Sequence, residues 1–278
     1  VKSPFTYFGG KTTLADAIAG LLPAHDHYVE PFGGSLAVLL AKPPARMETV
    51  NDLDADIMTF WRVLRDRPDD LARVCALTPH ARLEHAAARA EDLAAVTDEL
   101  ERARRVWVLL TQTRSSTMRR TGWRHYQDPK GTSAGMPRYL EGYVERMPPA
   151  AGRLIGVTLE ARPGLDLIRA YGRHEDVLLY CDPPYLGSTR ARNYRHEMTT
   201  VEEHRELADA LHAARAAVVL SGYHSPLYDE LYDGWHRVEI SSFTGNANRG
   251  TGARTEVLWS NRALVTDSEG TLFSEASA

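Results

Sequence analysis

Seven short apolar runs, at 27–30, 46–51, 155–160, 177–181, 218–222, 237–241 and 255–261, alternate with stretches of helical periodicity at 14–22, 36–41, 55–64, 165–171, 201–215 and 225–232. Short runs bounded by turn residues read as strands, and apolar residues three and four apart read as amphipathic helices. Alternation of the two admits few folds. Parallel strands cannot be joined by tight hairpins, so the intervening helices must cover the faces of a sheet. The rhythm breaks between 65 and 151, where an Ala- and Arg-rich helical stretch gives way to a polar, turn-rich one closed by Pro148 and Pro149. The prediction is an α/β domain on a mixed sheet of about seven strands, formed by residues 1–64 and 152–278, with an inserted, mostly helical module at 65–151. The small, acidic residues after Ala263 are expected to fray.

Composition removes several classes. At 278 residues, with 43% hydrophobic and 25% charged, the chain is that of an ordinary globular protein and not a disordered or fibrous one. Cys75 and Cys181 are too few for a disulfide framework and lack partners at zinc spacing, so a reducing, cytoplasmic setting is expected. No apolar run approaches the roughly 20 residues of a membrane span, and neither a span nor a signal peptide is expected. The net charge of -4 is unevenly distributed. Arg102, Arg104, Arg105, Arg114, Arg119, Arg120, Arg124, Lys130 and Arg138 face a single anion, Asp128, giving a local +8 and leaving -12 elsewhere. Interleaved with Trp107, Trp123, Tyr126 and Tyr139, that segment reads as a footprint for a polyanion, against the plainer reading of a solvated Arg-rich helix face.

Four motifs bear on chemistry. Phe8-Gly9-Gly10-Lys11-Thr12-Thr13 suggests a phosphate loop, but it lacks that loop's first glycine and a preceding strand. Tyr28-Val29-Glu30-Pro31-Phe32-Gly33-Gly34-Ser35 is a strand running into a glycine pair and a helix, a junction where backbone N–H groups can approach a ligand. Asp52 ends the next strand, 18 residues beyond Gly34, where an acid can bond ribose hydroxyls in Rossmann-like folds. Asp52, Asp54 and Asp56 imitate a calcium loop, but Ile57 stands where glycine is required, and Asp54 reads as a helix N-cap.

The most specific motif is Cys181-Asp182-Pro183-Pro184-Tyr185, directly after an apolar strand. Two prolines stop the strand and stiffen the chain, leaving a carboxylate, a carbonyl and an aromatic face within four residues. Such a cup suits a planar base with an exocyclic amine, which offers N–H donors and a stacking surface. A strand-to-loop turn with a solvent-facing Asp is the plain alternative. Tyr194-Arg195-His196-Glu197-Met198 follows, suited to a loop that packs on a displaced base or its phosphates, and 244–252 is a Gly- and Asn-rich loop flanked by Arg249 and Arg254.

Taken in order, Tyr7-Phe8-Gly9-Gly10-Lys11, Tyr28 to Gly34, Asn51-Asp52-Leu53-Asp54, an insertion, Asp182-Pro183-Pro184-Tyr185 and Thr255-Glu256-Val257-Leu258 resemble the Dam-type N6-adenine DNA methyltransferases, the alpha-group enzymes with this tetrapeptide. The resemblance spans nearly the whole chain and implies a Rossmann-like methyltransferase fold whose insert is a target-recognition domain. It implies S-adenosylmethionine as cofactor, held by Tyr7, Lys11, Glu30, Phe32, Gly33, Gly34, Asp52 and Asp182. Tyr7 departs from the tryptophan common in Dam, and the insert does not match Dam's recognition segment.

The function so implied is site-specific methylation of the adenine N6 amine in double-stranded DNA, without a metal, after the base is flipped out. Asp182 and the Pro183 carbonyl would accept the amine's hydrogens, and the ring of Tyr185 would stack on the base, so that Tyr185→Phe is expected to be comparatively mild. DNA contacts are expected from Arg114, Arg119, Arg120, Arg124, Lys130 and Arg138 in the insert and from Tyr194 and Arg195. A cognate restriction endonuclease is a conceivable partner. RNA or protein-glutamine methylation is the alternative within enzymes, though those relatives usually carry Asn where Asp182 stands. A non-catalytic DNA-binding protein retaining the fold is the alternative outside them.

Overall fold

The computed structural model describes residues 1–90, 92–116, 118, 122–125, 135–185, 198, 200–242 and 254–265. Its strands are β1 (His27–Glu30), β2 (Met47–Asn51), β3 (Val157–Glu160), β4 (Val177–Cys181), β5 (Ala217–Gly222), β6 (His236–Ser242) and β7 (Arg254–Ser260). They form one seven-stranded sheet in the order β3-β2-β1-β4-β5-β7-β6. The first five strands in that order are parallel, and β7 runs antiparallel between β5 and β6. This is the Rossmann-like methyltransferase arrangement expected from the sequence, with a mixed sheet.

Burial on both faces explains the apolar strands. β4 (Val-Leu-Leu-Tyr-Cys) is buried at every position, as a central parallel strand must be. Its side chains alternate between two cores: Leu178 and Tyr180 join Tyr28, Val219 and Leu258 on one face, and Leu179 and Cys181 join Val29, Val218 and Trp259 on the other. The second face is covered by helices Gly164–Tyr171 and Val201–His212. Side-chain caps mark the starts of several helices. Asp54 accepts from Asp56 N at the head of Ala55–Asp66, and Thr200 and Glu203 form a reciprocal capping box at the head of Val201–His212.

The segment inserted in sequence is not separate in packing. Helix Glu99–Gln112 lies on Ala55–Asp66, and its Trp107 is fully buried beside Phe5, Phe60 and Trp61 in the core that covers the first face of the sheet. Trp107 Nε1 donates to the Pro4 carbonyl at 3.0 Å. Just beyond its end, Arg153 donates to Glu48 at 2.8 Å, while Lys42 bonds the same carboxylate at 2.7 Å.

Part of the basic segment read from the sequence is neutralised within the fold. Arg102 Nε donates to Asp56 Oδ1 at 2.7 Å, Arg104 pairs with Glu101 and Glu84, and Arg105 Nε donates to Glu101 Oε1 at 2.7 Å. These three cations are matched inside the fold, because Glu101, Glu84 and Asp56 lie outside the stretch over which the charge was summed. Arg138 is exposed and Arg124 half-buried. Arg119, Arg120, Lys130, Tyr194, Arg195, His196 and the loop 244–252 lie outside the described residues.

Candidate active site

Strand order reverses between β1 and β4, and the crevice beyond the carboxyl ends of strands at such a point is where open α/β sheets bind ligands. A cleft of about 300 Å³ opens there. Tyr7, Lys11, Glu30, Phe32, Gly33, Gly34, Asp52 and Asp182, all read from the sequence as cofactor residues, line it together with Pro184, Met198 and Glu203.

The glycine turn is built by backbone contacts that side chains would obstruct. Gly33 N donates to the Asn51 carbonyl at 2.7 Å, and the Asn51 amide donates to the carbonyls of Pro31 and Arg162, tying the ends of β1 and β2 to the segment after β3. Gly34 has φ +48°, and a Cβ there would meet the Tyr7 ring at 2.8 Å. Asp52 accepts from Gly34 N and from Asp54 N, each at 2.8 Å, and Trp61 Nε1 holds the Gly34 carbonyl. The acid expected to face a ribose thus also fixes the turn that Tyr7 covers.

Glu30 is buried at the floor, with the Tyr28 hydroxyl donating to its Oε2 at 2.9 Å. Burial, reinforced by the charge of Asp182, pushes its carboxyl up to about 8, against the pull of the Tyr28 bond.

Across the cleft, Lys11 reaches the tetrapeptide. Its buried Nζ donates to both carboxylate oxygens of Asp182 at 2.7 Å and to the Gly9 carbonyl at 3.1 Å, and bonds the Tyr185 hydroxyl. Burial works against its charge, but Asp182 and Glu256 hold its pKa above the ordinary lysine value. An ammonium committed to carboxylates in this way leaves little of the phosphate-loop reading. Pro183 is buried behind the cup.

The Tyr185 hydroxyl, to which the sequence reading assigns no contact, stands 3.0 Å from Asp182 Oδ1 and 2.8 Å from Glu256 Oε1, within donating distance of both, while it accepts from Lys11. The ring lies against Tyr223, centroids 4.4 Å apart at 50°.

Two participants escape sequence reasoning. Glu256 stands in the Thr-Glu-Val-Leu motif without an assigned role; its signal is a charge directly before the apolar run Val257-Leu258-Trp259. The antiparallel register Gly222↔Val257 brings the start of β7 to the carboxyl end of β5, where Ser221 Oγ donates to Glu256 Oε1 at 2.6 Å. His204, fully buried on helix Val201–His212, bonds the Met198 carbonyl through Nε2 at 3.3 Å and the Tyr228 hydroxyl through Nδ1 at 2.9 Å. It thereby fixes Met198 at the rim.

The insert touches this site through the N-terminal loop. Phe8 N donates to the Ser116 carbonyl at 3.1 Å, and the Thr6 and Ser116 hydroxyls are 2.6 Å apart. Further along, Trp123 stacks between His80 and His125, with Arg82 4.8 Å from its ring.

Comparison with known proteins bears on the same residues. The chain is 27% identical over 255 residues to the DNA N-6-adenine-methyltransferase of Escherichia phage P1, an alignment covering 86% of this chain and 32% of that protein. The chain therefore spans about a third of the length of that curated relative. Among solved structures, precorrin 8W decarboxylase from Methanobacterium thermoautotrophicum overlays with a TM-score of 0.39 and 10% identity, covering 94% of this chain and 98% of that one. The model of the D12 class N6 adenine-specific DNA methyltransferases matches residues 7–245, a range holding Tyr7, the glycine turn and the tetrapeptide. By that match the chain belongs to the D12 class of N6 adenine-specific DNA methyltransferases.

Proposed function

We propose that this chain transfers a methyl group from S-adenosylmethionine to the N6 amine of an adenine flipped out of double-stranded DNA. The observation that carries the reading is the Lys11–Asp182 ion pair at the carboxyl end of β4, opening onto the cleft beside the glycine turn.

The cleft suits an adenosyl cation. Glycine at 34 lets the Tyr7 ring pack directly on the turn, the apolar ring of Phe32 lines one wall, and the carboxylates of Glu30, Asp52 and Asp182 converge without a facing lysine other than Lys11 among the lining residues. A positive ligand beside Glu30 offsets the cost of ionising that buried carboxyl. When bound, S-adenosylmethionine supplies an activated methyl on a sulfonium that departs as a neutral thioether.

The remaining work falls to the chain. Flipping an adenine costs a few kcal/mol, and stacking on an aromatic face such as Tyr185 returns about 1 to 3 kcal/mol. Asp182, held by Lys11, accepts the amine's N–H, stabilising the positive charge that develops on nitrogen. The proton leaves to Asp182 or to water after transfer. Arg114, Arg124 and Arg138, with Arg119, Arg120, Lys130, Tyr194 and Arg195 of the segments outside the described residues, are assigned to DNA.

Incubating the purified chain with labelled S-adenosylmethionine and duplex DNA, followed by single-base detection of N6-methyladenine, tests this directly. Label in N6-methyladenine at a recurring sequence is expected, with Asp182→Ala lowering the rate about 100- to 1000-fold. Label in RNA or protein alone would replace the reading, and no label in any acceptor would overturn it.

A further inference from the structure

Lys11 sits between two carboxylates, and only one of them belongs to the tetrapeptide. Its Nζ is 2.7 Å from Asp182 and 3.5 Å from Glu256 Oε1, and the Glu256 side chain is 5% exposed. The same Glu256 oxygen accepts from the Tyr185 and Ser221 hydroxyls. A glutamine oxygen could accept both hydroxyls equally well. What the carboxylate adds is charge, in a place where burying charge is costly unless it is matched.

We infer that Glu256 is a positioning residue for methyl transfer, sharing the Lys11 charge so that Asp182 keeps a net negative field toward the amine, and fixing Tyr185 by its hydroxyl. The inference rests on the reading of the site proposed above. Lys11 and Asp182 alone would make a neutral pair, a weak partner for a nitrogen that becomes positive. Burial and the neighbouring Asp182 raise the pKa of Glu256, while Lys11 and the hydroxyls of Ser221 and Tyr185 favour its charge; ionised, it gives the cluster one net negative charge, set before the reaction, the condition under which such stabilisation is strongest. The second role is geometric. Tyr185 follows two prolines and contacts Tyr223 on its ring, so a bond from its hydroxyl to Glu256 fixes the ring at the start of β7.

The two roles separate in variants of the full chain. Glu256→Gln keeps the acceptor and removes the charge, Glu256→Ala removes both, and Ser221→Ala keeps the charge while removing one bond. Single-turnover methyl transfer is measured at saturating S-adenosylmethionine and duplex DNA, alongside melting and the affinity for each substrate. Glu256→Gln is expected to melt and bind as the parent does but to react at least about tenfold more slowly. Glu256→Ala should be slower still, and Ser221→Ala should stay within about threefold of the parent.

A parental rate in Glu256→Gln, or equal losses in Glu256→Gln and Ser221→Ala, overturns the inference. Where Glu256→Gln alone does not fold, Lys11→Met is compared with Lys11→Met, Glu256→Gln. Without the ammonium there is no charge to share, so rates within about threefold of each other are expected, and a further tenfold loss overturns the proposal. Absence of transfer by the parental chain overturns the reading of the site itself, whereas parental transfer with an unimpaired Glu256→Gln overturns only the role of Glu256.

Discussion

The backbone N–H of Gly34 donates to Asp52 Oδ2 at 2.8 Å, which makes the acid after β2 a clasp on the glycine turn after β1. Removing that carboxylate therefore disturbs the turn as well as any ligand it faces. Hydrogen bonds to a charged acceptor contribute about 1.5 to 3 kcal/mol. Asp52→Ala should lose about that much stability and bind S-adenosylmethionine more weakly, while Asp52→Asn should retain part of both. Thermal melting beside calorimetry checks this, and an unchanged melting temperature in Asp52→Ala would refute the clasp.

Gly34 should be the least replaceable glycine of the cleft. At φ +48°, with a Cβ position 2.8 Å from Tyr7, Gly34→Ala incurs left-handed strain of about 1 to 2 kcal/mol and displaces the aromatic ring. Cofactor affinity is expected to fall at least about tenfold. Gly20, in helix Ala15–Leu21 with nothing within 4 Å of its Cβ position, is the control: Gly20→Ala should add about 0.4 to 1 kcal/mol. Titration of both variants with cofactor separates the effects.

For Tyr185→Phe the sequence alone predicts a mild effect, because stacking needs only the ring. With the hydroxyl lodged between Lys11 and Glu256, the substitution should instead slow single-turnover transfer about tenfold or more, with DNA affinity little changed. A rate within twofold of the parent would restore the view that only the ring matters.

Glu30 gives the free protein a pH signature. Its folded pKa of about 8 lies above its ordinary 4.5, so the folded state binds the proton more tightly. The resulting stability is present in full below about 4.5, declines as pH rises, and is gone above about 8. Glu30→Gln is neutral throughout. Melting series of parent and variant without cofactor should converge at acid pH and separate toward pH 8, the variant becoming the more stable. Parallel curves would exclude a raised Glu30.

The arginines of the insert should divide into two groups. Arg102→Ala removes a charged partner of buried Asp56 and should cost a few kcal/mol of stability while leaving the salt dependence of DNA binding unchanged. Arg124→Ala or Arg138→Ala should do the reverse, since removing one phosphate partner flattens the slope of log affinity against log salt by about 0.9. Binding isotherms at several salt concentrations distinguish the groups, and a flattened slope in Arg102→Ala would contradict the assignment.

The strands are legible because burial leaves its mark on composition. β4 falls at 177–181 as read, since a strand enclosed on both faces must be apolar throughout. Helix ends are less so: the helix starting at Val201 stops at His212, short of the expected 215, although Ala213 and Ala214 would both tolerate another turn. Side-chain pairing is the least legible. Arg104 and Arg105 stand three and four residues from Glu101, a helix spacing the sequence displays, but Asp56 and Glu84 are brought to the insert's arginines only by tertiary packing. The Lys11–Asp182 pair joins residues 171 apart, and Glu256 arrives through an antiparallel register that no local pattern specifies.

Trp107 in the shared core and Arg102 on Asp56 also bear on how members of such a family can diverge. Exchanging 65–151 wholesale between relatives would mean repacking the first face of the sheet and breaking the Arg102–Asp56 ion pair. The stretch between helices Glu99–Gln112 and Met136–Val144 carries fewer such obligations among the described residues, with Ser116 its tie to the N-terminal loop. Where that stretch reads the DNA target, as the proposed function has it, preference can drift there while the site's chemistry is inherited intact, and a chimera cut at these two helix ends is the graft most apt to remain folded.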